Sequence, residues 1–278
     1  MFKKKVLALL SSTILVAGLA VGCGSNSGVD AKSDKETKVT VSGSTSVGSP
    51  MEKLAEAFEG KNSGVKVEVQ QLGSSAGIKN AIEGVSEIGM SSRDLKDEEK
   101  SSGLKETIIA TDGIAVITNK ANKVTDLTLD QVKDIYTGKI TNWKEVGGED
   151  APIVVVSRED GSGTRDGFQE KVGFESEELI KDAQISDGSG NIKSTVEGNV
   201  NAIGYISFGY VDEAVNAVKV DGVEINHETV ANNEYVIARP FILVNKDGIS
   251  DNAQALIDFI LSDEGQSILE EKGFIRVK

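Results

Sequence analysis

One cysteine, one histidine and one tryptophan occur in the 278 residues of this chain, and the first two scarcities each close off a class of chemistry. Cys23 alone cannot form a disulfide framework. His227, with no second cysteine to join it, cannot build a His/Cys metal site or a histidine-based catalytic triad. Its neighbours Asn226 and Glu228 carry no ligand spacing, so it reads as a loop or helix-start residue. No cofactor or metal is expected. Positive charge is also short: 30 Lys and Arg face 44 Asp and Glu, a net charge of −14 that argues against a nucleic-acid partner.

Long apolar runs are scarce too. The single candidate, from Val6 to about Val21, follows Lys3, Lys4 and Lys5 and leads into Gly22-Cys23, the order of an export signal and short for a membrane span. Residues 1–22 are therefore expected to be removed, and losing those three lysines takes the remainder from −14 to −17. Leu19-Ala20-Val21-Gly22-Cys23 resembles a bacterial lipobox, with Ala20 where leucine is commonest, which implies lipidation of Cys23. Residues 23–37, rich in Gly, Ser, Asp and Lys, cannot bury a core and should form a flexible tether. No second candidate span follows. The expected location is the extracellular face of the cell membrane, held through the lipid anchor only.

From Val39 onward, roughly 240 residues remain, enough for one large α/β domain or two lobes. Strand-like and helix-like periods alternate. Residues 39–41, 65–69, 108–110, 114–117, 153–156, 203–208 and 236–244 read as strands. Met51, Leu54, Ala55 and Phe58 form a helical stripe with Pro50 in its first turn; Ile78 opens a helix, Leu129, Val132, Ile135 and Tyr136 make another, and residues 253–261 a third amphipathic one. Repeated βα units argue for a mainly parallel sheet with helices on both faces.

What is abundant is Gly, Ser and Thr at the turns. The valine run before Ser157 empties into Arg158-Glu159-Asp160-Gly161-Ser162-Gly163-Thr164, which places a guanidinium, hydroxyls and loosened backbone where a strand should pass into a helix. A buried tetrahedral anion needs such donors: N–H groups at a helix N-terminus, hydroxyls and an arginine fork. Three more turns follow the same plan: Ser42-Gly43-Ser44-Thr45-Ser46, Gly73-Ser74-Ser75-Ala76-Gly77 and Gly89-Met90-Ser91-Ser92-Arg93-Asp94. Any one could be a helix cap, but four of them suit an open α/β sheet that gathers a ligand at the carboxyl ends of its strands. None fits the nucleotide patterns GxxxxGK[ST] or GxGxxG with an acidic partner, so a small anion is the expected target. Asp187-Gly188-Ser189-Gly190-Asn191 is either a fifth such turn or a plain helix entry. Trp143 reads as a packing residue, and Tyr205 and Phe208 as core or cleft wall.

Taken in order, GSTSV, GSSAG, IGMSSRDL, SREDGSGTRD, NAIGYISF and EGQSILEEKGFIRV resemble the phosphate-binding proteins of phosphate-specific ABC importers, in their short Gram-positive lipoprotein form. The resemblance implies a type II solute-binding fold: two α/β lobes, each with a mainly parallel sheet, joined by two crossing strands near 113–117 and 235–241. It implies lobe one at 38–113 plus 239–278 and lobe two at 114–238. It further implies a monomer that carries inorganic phosphate to an ABC permease and ATPase complex and performs no catalysis. Matched residue by residue, Ser44, Thr45, Ser46, Ser74, Arg158, Ser162, Gly163 and Thr164 would contact phosphate, with Asp160 orienting Arg158 and Ser75 standing behind the contacting residues.

One position departs from the family. An aspartate that accepts the ligand's proton in Gram-negative relatives is Ser92 here, followed by Arg93 and Asp94. Ser92 could still accept from the ligand and Arg93 could add a cation, while a surface ion pair for Arg93 and a helix cap for Asp94 are the plainer readings. Asp160 or Asp94 would help with selectivity. Other functions stay open: a receptor for sulfate, molybdate or tungstate, an adhesin or sensor, or a secreted phosphatase using Ser162 or Thr164, for which the sequence supplies no adjacent base.

Overall fold

A computed structural model describes residues 37–277. The export signal, Cys23 and nearly all of the expected tether lie outside the described residues. The tether was expected to run through residue 37, but Thr37 already pairs with Val65 in a sheet.

Along the chain, β1 (Thr37–Gly43), α1 (Thr45–Lys61), β2 (Val65–Gln71), α2 (Ser74–Glu83), β3 (Ile88–Ser91) and the one-turn α3 (Asp97–Lys100) lead into a long β4 (Lys105–Asn119). There follow β5 (Asp126–Leu127), α4 (Leu129–Tyr136), β6 (Val154–Arg158), α5 (Gly163–Val172), β7 (Gln184–Ser186), α6 (Gly188–Glu197), β8 (Ala202–Ser207), β9 (Val215–Ala217) and β10 (Lys219–Val220). The chain closes with α7 (His227–Ala231), β11 (Ala238–Asn245), α8 (Asp251–Leu261), α9 (Asp263–Glu271) and β12 (Ile275–Arg276).

The main sheet runs β2-β1-β3-β11-β4-β8-β6-β7. Pairing is parallel at either end, in β2-β1-β3 and β8-β6-β7, and antiparallel where β11 and β4 cross the middle. The expected parallel sheets are therefore two parallel ends of one mixed path. Two separate strands were expected at 108–110 and 114–117. They are one strand: Arg239 pairs with Asp112 and Ala238 with Gly113, so the ladder continues through the dipeptide, with one register shift between Phe241 and Ile242.

Two apolar cores flank the crossing. One gathers Val39, Val41, Met51, Leu54, Phe58, Phe241, Leu243, Leu256 and Leu269. The other gathers Ile114, Val116, Tyr136, Trp143, Phe168, Ile192, Ile203, Tyr205 and Ile237. Helix α1 shows how such a face is made: its buried Val47, Met51, Leu54, Ala55 and Phe58 recur at three- and four-residue spacing. The helix starts earlier than its stripe suggested. Pro50 consequently falls in the second turn, where it removes the N–H that would bond the Ser46 carbonyl.

This topology positions the site. Strands β1, β2, β3, β6 and β7 point their carboxyl ends toward the seam between the cores, and α1, α2, α5 and α6 begin there. Among the described residues no helix is long and apolar enough to cross a membrane.

Candidate anion-binding site

Five serines and a threonine from three helix starts and one strand end meet at the seam. Ser44 caps α1, accepting from the Val47 N–H at 3.3 Å, and donates to the Ser92 hydroxyl at 2.8 Å. The Ser74 oxygen accepts from the Ser92 N–H at 3.1 Å and lies 3.3 Å from the Ser92 oxygen. Ser46, on α1, lies 2.8 Å from the Thr164 hydroxyl on α5. Ser162 caps α5 by accepting from the Arg165 N–H. All six are buried, and Thr45, between Ser44 and Ser46, is half-buried. Each helix start also offers unpaired first-turn N–H groups and the positive end of its dipole.

Only glycine fits at the centre of the seam. A Cβ on Gly163 would lie 2.3 Å from the Ser74 oxygen and 2.8 Å from that of Ser92. Gly163→Ala is therefore expected to hold the two halves apart and lower oxyanion affinity by about tenfold or more, the usual range of overpacking costs. Its thermal midpoint should barely move. Titration calorimetry beside a melting curve checks this, and unchanged affinity would mean that the contact yields easily.

Arg158, at the end of β6, is 1 % exposed. Its Nη2 donates to the Thr45 hydroxyl at 3.1 Å, and Nε and Nη2 each meet a Glu159 carboxylate oxygen at 2.7 Å. Its Nη1 is buried without a partner. The residue that orients Arg158 is thus Glu159, not Asp160 as expected. Past Arg158 the strand's side-chain alternation ends, so Glu159 folds back onto the guanidinium while exposed Asp160 reaches forward to Arg165 in α5. Tyr205 steadies the strand end: its hydroxyl accepts from the Arg158 N–H and bonds Ser157, and its ring stacks on Phe168 with centroids 4.0 Å apart.

Arg93 does not supply the second cation. It is buried, and four of its five N–H donors are hydrogen-bonded, Nη1 to Glu99 and the Asp94 carbonyl and Nη2 to Glu99 and Ser75, while Nε pairs with Asp166 on α5 at 2.9 Å outside hydrogen-bond geometry. Burial opposes its charge, but Glu99 and Asp166 outweigh that and hold its pKa above the ordinary arginine value. Neither plainer reading holds either, since the pair is buried, its partner is Glu99, and exposed Asp94 caps no helix. Ser75 accepts from Arg93 Nη2, and its N–H bonds the Gly161 carbonyl across the seam.

The second cation is Arg239, on the crossing strand β11, which sequence reasoning missed. It is 3 % exposed, and its Nη1 and Nη2 donate to Ser92 at 3.2 Å and Ser46 at 3.1 Å. Asp112, fully buried opposite it on β4, accepts from Arg239 Nε and Nη2, from the Ser207 hydroxyl and from the Phe208 N–H. Burial pushes the Asp112 carboxyl up from its ordinary value, while Arg239 and Ser207 pull against that. The Asp-Gly and Arg-Pro dipeptides look like breakers; a charged pair at matching strand positions was the signal available.

The remaining candidates fall outside the centre. Gly188, which opens α6, lies against Thr45, with a Cβ position 3.8 Å from it, and Ser189 beside it is buried and bonded to the Ser207 N–H. The fifth turn therefore borders the site. Trp143 is buried in the second core with its indole N–H on the Asn201 carbonyl, and His227 opens α7. Two guanidinium groups, converging hydroxyls and helix N-termini can hold an oxyanion. The recorded partners of Ser162 and Thr164 are a backbone N–H and Ser46, not a base that could make either a nucleophile.

Comparison with known proteins follows this geometry. The family model of the PBP superfamily domain matches residues 28–264. A phosphate-binding protein PstS of Bacillus subtilis is 34 % identical, the match covering 99 % of this chain and 94 % of that protein. A phosphate ABC transporter substrate-binding protein of Clostridium perfringens, solved with bound phosphate, is 66 % identical with a TM-score of 0.86, covering 87 % of this chain and all of that one. An ABC-type phosphate transport receptor of Vibrio cholerae is 36 % identical with a TM-score of 0.74, covering 86 % and 100 %.

Proposed function

Since the chain belongs to the PBP superfamily and, within it, to the PstS phosphate-binding proteins, we propose that it captures inorganic phosphate at the seam and delivers it to an ABC permease and ATPase complex. It is a binding protein and not an enzyme. The observation that carries the reading is Arg158: a buried guanidinium with Nη1 unpartnered, beside the Thr45 hydroxyl across the seam. A buried donor left unpaired costs about 1–3 kcal/mol, more when charged, and an anion oxygen would remove that cost. Ser44, Thr45, Ser46, Ser74, Ser92, Ser162, Gly163 and Thr164 complete the proposed site, with Arg239 in the place expected for Arg93. Calorimetric titration of the full chain with phosphate, sulfate and molybdate tests the assignment; phosphate should bind most tightly, and a preference for molybdate would replace it.

Lobe one is proposed as 38–113 plus 239–278 and lobe two as 114–238, a division that the membership of the two cores supports. The protein is proposed to work as a monomer on the extracellular face of the membrane, anchored by lipid on Cys23. Cys23→Ala is expected to abolish palmitate labelling and to release the protein or leave it as a precursor, because the charged, acidic body has no other hold on a bilayer. Labelling and fractionation of the variant check this; membrane retention with unchanged label would exclude the anchor.

A further inference from the structure

Resting on phosphate as the ligand, we infer that Arg239 sets the direction of the Ser92–Ser74 hydroxyl pair, so that Ser74 meets the ligand as a donor and the dibasic anion is favoured. A hydroxyl has one proton to give and two lone pairs to fill. The Ser92 oxygen receives Ser44 O–H and Arg239 Nη1, which fills both lone pairs and leaves its proton for Ser74. The Ser74 oxygen then holds the Ser92 N–H and the Ser92 O–H, so its own proton is left to donate to a ligand. One guanidinium at the end of the chain of contacts thereby turns Ser74 outward as a donor. Ser92 acts through its neighbours and does not receive the ligand's proton, contrary to the expectation from sequence.

The carboxylates nearby do not supply an acceptor in its place. Both oxygens of Asp112 accept two bonds each. Glu99 and Asp166 hold Arg93, Glu159 holds Arg158, and exposed Asp160, expected to aid selectivity, holds Arg165. Asp94 is exposed. A donor at Ser74 and no free carboxylate acceptor favour the ligand form with the most acceptors. Phosphate gains that form as pH rises through neutrality, whereas sulfate has it throughout and so reports any titration of the protein itself.

The test is calorimetry of the full chain at pH 6 and pH 8. Phosphate affinity should rise about tenfold between them, following the dibasic fraction by linkage. Sulfate should bind measurably with an affinity that does not change. Arg239 positions Ser92 and Ser74 as well as supplying the second cation, so its loss should alter the pH dependence and not only the affinity. In the double variant Arg239→Gln/Asp112→Asn, which leaves no unpaired buried charge, Ser92 and Ser74 regain free lone pairs and the pH 8 to pH 6 ratio should shrink to about twofold. Ser92→Asp should invert it and reject sulfate. A wild type that binds phosphate equally at both pH values, or that excludes sulfate, overturns the inference while leaving phosphate binding intact. An unaltered ratio in the double variant also overturns it. A chain that binds neither anion overturns the phosphate reading itself.

Discussion

Arg158→Ala should lower phosphate affinity by about a thousandfold, because removing a buried charge-assisted fork costs about 4 kcal/mol of binding and each 1.4 kcal/mol is a factor of ten. The fold should survive, since Glu159, 23 % exposed at its side chain, can turn to water once its partner is gone. Arg158→Lys should recover only part, as a point charge cannot meet Thr45, Glu159 and an anion oxygen together. Titration of both variants beside their thermal melts decides the matter. Binding of Arg158→Ala within about threefold of wild type would remove this residue from the site.

Arg239→Ala is expected to do the reverse kind of damage, to the fold first. It strands the fully buried Asp112 carboxylate, and breaking one side of a buried ion pair costs about 3–5 kcal/mol. For a body of this size that lowers the thermal midpoint by roughly 10 °C. Replacing both partners by apolar residues, Arg239→Met with Asp112→Leu, should restore most of it. Urea unfolding of the single and double variants measures the difference, and a single variant within 1 kcal/mol of wild type would mean that Asp112 is not a buried charge.

What could be seen in the sequence was what is local. The helical stripe of α1, the run that became β6 and the hydroxyl-rich turns all advertise themselves within ten residues. Arg158 stood out because its turn carries the donors beside it. Asp112 and Arg239 did not, since their pairing spans 127 positions and each neighbours a residue, Gly113 or Pro240, that suggests interruption. The same limit explains Arg93 and Asp160. Both lie in turns rich in charge of either sign, and which carboxylate meets which guanidinium depends on where α3 and α5 come to rest. Family likeness drew attention to Ser92; only the three donors and acceptors around it show which way its proton points.

The strand order also dictates when each half can be finished. The second core, apart from minor contacts, draws on one continuous stretch between Ile114 and Ile237, so it can condense from contacts close in sequence. The first core cannot, because β11 must slide between β3 and β4, and α8 and α9 must cover the same sheet. Residues 37–110 therefore wait for a strand made more than a hundred residues later, a long loop closure that slows condensation. A chain threaded through a membrane from its N-terminus would carry its leading half across before the piece that locks it exists. In such passage, that half would stay unlocked until the central strand had followed it.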